Sequence, residues 1–126
     1  MVAVVVDAAV GALWYSPLAF GDAWHALQGL DAAALTERTW VHGVSMLVNV
    51  LKMTCLALLI SLAGVESWRG GLRIGVLAWA GFVLTIWTGS TLYADRSLSV
   101  LAINMGFHLV VFSVVSALMG RFVRPR

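Results

Sequence analysis

The sequence predicts an all-α integral membrane protein: a four-transmembrane-helix bundle with an interfacial connecting helix between the first and second spans. One observation behind this prediction is composition, because 61% of the 126 residues are hydrophobic and only 11% are charged. Soluble domains carry about 25% charged residues. A second observation is that four apolar segments approach the length of about 20 residues that a helix needs to cross a hydrocarbon core. A chain of this size is expected to form one domain.

The four apolar segments are the predicted spans, at approximately residues 2–15, 40–63, 72–93 and 98–120. The first is short, because the Ser16-Pro17 step disfavours helical geometry at Ser16. Gly70-Gly71 and the polar stretch 94–97 are predicted to form the turns between the last three spans.

The stretch 17–39 is the longest extramembrane segment in this prediction. Ser16 is expected to cap a helix that starts at Pro17 and ends at Gly29. Asp31 is expected to cap a second short helix over 32–37. The stretch is interpreted either as an interfacial connection or as a lid over a cavity that opens on the outer side.

The distribution of arginines predicts the orientation of the bundle. The side that holds both termini carries five of them: Arg69, Arg73, Arg121, Arg124 and Arg126. The opposite side carries two, Arg38 and Arg96. Because positively charged loops stay in the cytoplasm, a multi-pass protein with cytoplasmic N- and C-termini is predicted.

Polar residues on the second span form a stripe made of His42, Ser45, Asn49 and Lys52. Their spacing places them on one helical face, within an arc of about 80°. Lys52 falls near the middle of its span, where a charge is costly unless it has a partner. The stripe therefore marks a candidate polar interior.

Two other spans carry polar residues at similar depth. Asp7, near the middle of the first span, is predicted to pair with Lys52, because an isolated buried charge costs several kcal/mol. Asn104 and His108 on the fourth span are four residues apart and share a face. The candidate catalytic residues are His108, Asn104 and Lys52, and the candidate ligand-binding residues include His42, Asn49 and Asp7.

Glycines within the spans predict close helix packing. Gly75, Gly81, Gly89 and Gly106 are expected to allow neighbouring helices to approach, and Gly71 with Gly75 fits a small-xxx-small contact.

Three sequence blocks form a recognisable pattern: Gly11-Ala12-Leu13-Trp14-Tyr15-Ser16-Pro17-Leu18 with Phe20-Gly21 and Trp24, then Trp79-Ala80-Gly81-Phe82-Val83, and finally Asn104-Met105-Gly106-Phe107-His108. These blocks resemble the DUF1761 family of small bacterial integral membrane proteins. The resemblance implies four helices, a bacterial inner membrane location and no established activity. Carried over position by position, it points to Trp14, Tyr15, Ser16, Pro17, Trp79, Asn104 and His108. Trp14, Tyr15 and Trp79 accordingly join the ligand-binding candidates, whereas Asp7 and Lys52 are not part of the family pattern.

Three functions fit this pattern. The first is an intramembrane polar pocket that binds a lipophilic small molecule, such as an isoprenoid or quinone-like compound, or acts on it by acid/base chemistry with His108. The alternative is a non-enzymatic structural or accessory subunit of a larger membrane complex or a homo-oligomer, and a third option is a proton or small-solute pathway.

Few other partners are predicted beyond the lipid bilayer. No metal site and no cofactor are expected, although a haem held by His42 and His108 is an alternative. Nucleic acid is not expected, because the basic residues form no single stripe. Cys55 is the only cysteine, so no intramolecular disulfide can form.

Overall fold

The structure, a computed structural model, describes residues 1–29 and 39–122. The described residues are helical, with no strand among them. The elements in chain order are α1 (Val2–Trp14), α2 (Gly21–Gln28), α3 (Thr39–Leu62), α4 (Trp68–Ala78), a π-helical segment (Trp79–Leu84), α5 (Thr85–Tyr93) and α6 (Leu98–Phe122).

Within residues 1–29 and 39–122, three helices are long and apolar enough to cross a membrane: Trp40–Leu62, Trp68–Tyr93 and Leu98–Phe122. The middle one comprises α4, the π-helical segment and α5 in one continuous run. α1 is also apolar but has 13 residues, which corresponds to about 20 Å of helix against a hydrocarbon core of about 30 Å. The predicted all-α class is confirmed, and the predicted second and fourth spans lie close to the observed helices.

The third span begins earlier than predicted. The prediction that Gly70-Gly71 form a turn before Leu72 is wrong, because α4 starts at Trp68 and contains both glycines. Ser67 caps this helix, and its side-chain oxygen accepts a hydrogen bond from the Gly70 backbone N–H at 3.1 Å.

Close packing between α4 and α6 explains why glycines lie inside this helix. A Cβ on Gly71 would overlap the Ser116 carbonyl oxygen and lie 2.9 Å from Cα of Gly120. A Cβ on Gly75 would overlap the Ser116 side chain and the Phe112 carbonyl oxygen. The predicted small-xxx-small contact is therefore present, and it brings the two backbones together.

The other predicted glycine contacts differ in outcome. A Cβ on Gly106 would lie 3.0 Å from the Trp14 ring, so this glycine does permit close approach of α1. At Gly81 and Gly89 nothing among the described residues lies within 4 Å of the Cβ position. For these two the prediction fails within the described chain.

The chain reverses after α1 without the predicted helix at Pro17. Ser16 does not cap a following helix, because its hydroxyl donates to the Leu13 carbonyl oxygen at 2.7 Å and closes the end of α1. α2 starts only at Gly21, and it ends at Gly29 as predicted, in the left-handed region at φ 60°. The helix predicted over 32–37 lies outside the described residues.

The core is centred on α6. Val111 and Val115 of this helix are fully buried, and they belong to one apolar cluster with Ile60 of α3. On α3, the buried side chains begin at Met53, and most side chains before it are exposed. The second half of α3 therefore packs against α6, whereas its first half lies largely outside the core.

The π-helical segment was not predicted. The Thr85 hydroxyl donates a hydrogen bond to the Gly81 carbonyl oxygen at 2.7 Å. In this wider π-helical turn, the backbone hydrogen bonds differ from those of an α-helix. Segments of this kind occur frequently at functional sites. This one contributes Phe82 and Val83 to the groove described below.

Candidate functional site

An ion pair joins α1 and α3. Lys52 Nζ lies 3.1 Å from Asp7 Oδ1, with the side chain of Lys52 23% exposed and that of Asp7 5% exposed. The predicted pairing of these residues is confirmed. Each charge compensates the other in surroundings where neither would be stable alone.

Two further polar atoms are buried on α3 and α6. Asn49, three residues before Lys52 on α3, has its Oδ1 buried with no hydrogen-bonding partner among the described residues. The same holds for Nδ1 of His108 on α6, and His108 lies within electrostatic range of both Lys52 and Asp7. We refer to Asp7, Asn49, Lys52 and His108 as the polar cluster.

A groove leads away from the polar cluster. It has a cavity volume of about 150 Å³ and is lined by Lys52, Cys55, Leu56, Leu59, Ala78, Phe82, Val83 and Phe112. Lys52 is the charged member of this lining. Cys55 and Phe82 are exposed, so the groove opens at the outer surface of the helices, which in a membrane faces lipid.

Helical spacing places the polar cluster at one end of this groove. Cys55, Leu56 and Leu59 follow Lys52 along α3, at spacings that keep them near its face. On α6, His108 lies one turn before Phe112, on the same side of the helix. Both helices thus place a polar residue at the same end of an apolar groove.

Asn104 belongs to a different set of contacts. Its Oδ1 accepts hydrogen bonds from the Tyr15 hydroxyl at 2.8 Å and from Trp24 Nε1 at 3.0 Å. The Tyr15 and Trp24 rings also meet edge to face, with centroids 5.3 Å apart. Asn104 therefore joins α6 to the end of α1 and to α2.

Two further tryptophans bind the backbone on either side of Asn104. Trp14 Nε1 donates to the Ile103 carbonyl oxygen at 3.1 Å, and Trp79 Nε1 donates to the Met105 carbonyl oxygen at 3.2 Å. Buried indole N–H groups need such acceptors. Together with Tyr15 and Trp24, these residues form what we call the Asn104 cluster.

The predicted site residues thus fall into two groups and one outlier. In the polar cluster, Lys52 and Asp7 form an ion pair, Asn49 lies one turn before Lys52, and His108 lies within electrostatic range of both charges. Asn104, Trp14, Tyr15 and Trp79 meet in the Asn104 cluster. His42 is exposed on α3, ten residues before Lys52. The structure does not bring His42 into either cluster.

Sequence reasoning missed the groove and the role of Trp24. The groove residues Cys55 and Phe112 had a usable signal, since they lie three and four residues beyond Lys52 and His108. In the sequence, Trp24 stands out only as part of the first block that resembles the family. Nothing in its spacing indicates a hydrogen bond to a residue 80 positions later.

The described residues contain no group of three His, Cys, Asp or Glu side chains that could hold a metal ion.

The fold and these clusters define a small helical membrane protein with polar groups buried among its apolar helices. The chain belongs to the DUF1761 family, described as a protein of unknown function, whose model matches residues 1–120. No curated protein and no solved structure was found to match it.

Proposed function

We propose that this protein binds a lipophilic small molecule within the membrane. The molecule's apolar part lies in the groove and its polar end lies against Lys52. One observation carries the proposal: an apolar groove that opens at the surface of the helices has Lys52 in its lining, and this lysine side chain is only 23% exposed. Ligand sites commonly combine an apolar lining with a few convergent polar groups.

The polar end of the groove would supply most of the selectivity. A lipophile leaving the bilayer exchanges one apolar environment for another, so burial of its chain gives little driving force. Hydrogen bonds at Lys52 and the polar cluster have no competitor in hydrocarbon. Binding would therefore depend on the head group and on the fit of the chain.

Acid/base chemistry on the bound molecule is part of this proposal. An imidazole can accept and donate a proton, and His108 lies within electrostatic range of Lys52 and Asp7. Asn104 instead holds Tyr15 and Trp24, which supports a structural role for it. We also propose a location in the bacterial inner membrane with four spans, as the family resemblance implies, and cytoplasmic termini, which the arginine distribution supports.

Replacing Cys55 with tryptophan tests the groove. The indole would occupy much of the cavity of about 150 Å³, which leaves little room there for the chain of a lipophile. We expect the amount of lipophile that co-purifies with the protein to fall at least about ten-fold. The measurement is solvent extraction of protein purified in mild detergent, followed by mass spectrometry of the extract.

Leu58→Trp is the matched control, because Leu58 is 52% exposed on the same helix and does not line the groove. It should retain the co-purified molecule at the wild-type level. An equal lipid content in wild type and both variants would contradict the proposal, and it would favour a structural or accessory subunit instead.

A further inference from the structure

Two arginines lie on one face of α4, near the start of this helix. Arg69 and Arg73 are four residues apart, so their side chains are neighbours, and both are exposed. Gly71, midway between them, is buried against Gly120 of α6. Because residues two positions apart on a helix point in nearly opposite directions, both arginines lie on the side of α4 that faces away from α6.

The positive charge of this face has no counter-charge within the described part of the chain. Among residues 1–29 and 39–122, the one ion pair is that of Lys52 with Asp7. The first turn of α4 contains no acidic residue, and two like charges four residues apart on a helix repel each other. An anion from outside the chain would offset this repulsion.

The same face becomes apolar further along the helix. Leu77, four residues beyond Arg73, is 67% exposed. At the start of the helix, the guanidinium carbon of Arg69 lies 5.3 Å from the centre of the Trp68 ring, and tryptophan is enriched at the level of the lipid head groups. We refer to Arg69, Arg73 and Leu77 as the arginine face.

The order of charge and apolar surface along the arginine face matches that of a phospholipid. Arg73 lies about 6 Å further along the helix than Arg69, and a long arginine side chain can extend back towards the head groups. Both guanidinium groups can therefore reach the level of the lipid phosphates, whereas Leu77 lies at the level of the acyl chains.

The net charge of the head group distinguishes the lipids that fit. A guanidinium group binds phosphate oxygens through parallel N–H donors. A zwitterionic lipid also has a phosphate, but its ammonium group would approach the same two cations. An anionic lipid has no such group. The arginine face also lies on the predicted cytoplasmic side, where anionic lipids attract basic residues.

We propose that the arginine face binds an anionic phospholipid, with its phosphate held by Arg69 and Arg73 and an acyl chain along Leu77. None of these three residues lines the groove beside Lys52. The inference therefore concerns a second surface and does not depend on the proposed function.

Phosphatidylglycerol and phosphatidylcholine with identical acyl chains, each labelled at the end of one chain, test the inference on the wild-type protein. Binding is measured by fluorescence anisotropy as the full chain is titrated into the lipid in mild detergent. We expect the Kd of phosphatidylglycerol to be about ten-fold lower than that of phosphatidylcholine. Inorganic phosphate should displace no more lipid than sodium chloride does at equal ionic strength.

Replacing both Arg69 and Arg73 with glutamine should raise the Kd of phosphatidylglycerol about ten-fold, to the level of phosphatidylcholine. The matched control replaces Arg96 and Arg121 with glutamine, which removes the same charge from two exposed positions outside the arginine face. This control should bind phosphatidylglycerol as the wild type does.

Equal affinity of the wild type for the two lipids would overturn the inference without any variant. Equal weakening by the two double variants would also overturn it, because net charge rather than the arginine face would then attract the lipid. Displacement by inorganic phosphate beyond the effect of sodium chloride would show a site for a free anion, and the assignment to a lipid would be wrong.

Discussion

Replacing Lys52 with methionine is expected to lower the free energy of unfolding by about 3–5 kcal/mol, the usual cost of removing one partner of a buried ion pair. The reason is the Asp7 carboxylate, which is 5% exposed and has its ion-pair contact with Lys52. Without that contact the carboxylate must stay charged and unpaired or take up a proton, and both cost free energy. The measurement is equilibrium unfolding of the purified protein in mixed micelles titrated with a denaturing detergent.

The double variant Asp7→Asn with Lys52→Met provides the test of this explanation. Removing both charges together eliminates the unpaired carboxylate, and such replacements are often nearly neutral for stability. We expect the double variant to recover most of the stability lost by Lys52→Met. If the two substitutions were simply additive, the pair would not be coupled and the account of the polar cluster would be wrong.

Replacing Gly75 with alanine should lower the free energy of unfolding by about 2–3 kcal/mol, as overfilling of a tight interior does. The added Cβ would overlap the Ser116 side chain and the Phe112 carbonyl oxygen. The backbone oxygen cannot turn aside, so α4 and α6 would have to separate. Detergent-induced unfolding of the single variant measures the loss.

Gly81→Ala is the matched control for this substitution. Both glycines lie in the same membrane helix, but nothing among the described residues lies within 4 Å of a Cβ at Gly81. Alanine there should be neutral or stabilise the helix by up to about 1 kcal/mol. Equal losses for the two variants would show that helix contact at Gly75 is not the cause.

The long helices could be predicted from the sequence because length and hydropathy together determine a membrane span. The start of the third span could not be predicted in this way. The pair Gly70-Gly71 is typical of a turn in sequence, and the close approach of Gly71 to Gly120, far along the chain, explains why this glycine lies inside a helix. Helix propensity depends on the local sequence alone, whereas the start of this helix depends on its packing against α6.

The polar residues show the same limit. Asp7 and Lys52 could be paired from sequence, because they were the only opposite charges at similar depth. Asn104 and His108 share a helical face but have different neighbours. The chain reversal after Tyr15 brings Trp24 into hydrogen-bonding contact with Asn104, whereas His108 is not part of that contact. Helical periodicity predicts the face of the helix on which a residue lies, but not which residue of another element contacts it.

His42 and Ser45, the first two residues of the polar stripe, are exposed rather than part of a polar interior, for a related reason. His42 and Ser45 share a face with Lys52, but α3 packs into the core only from Met53 onward. A helix that meets the bundle along half its length exposes the rest of the same face. The residue at which α3 begins to contact the bundle depends on tertiary packing, which the sequence pattern does not reveal.

The central claim is that the groove beside Lys52 holds a lipophile, and a density map of the protein in lipid nanodiscs tests it most directly. We predict elongated non-protein density along Cys55, Leu59 and Phe112, with its polar end within hydrogen-bonding distance of Lys52 Nζ. A groove closed by direct contact between α3 and the π-helical segment, or filled by side chains of a neighbouring copy, would contradict the claim.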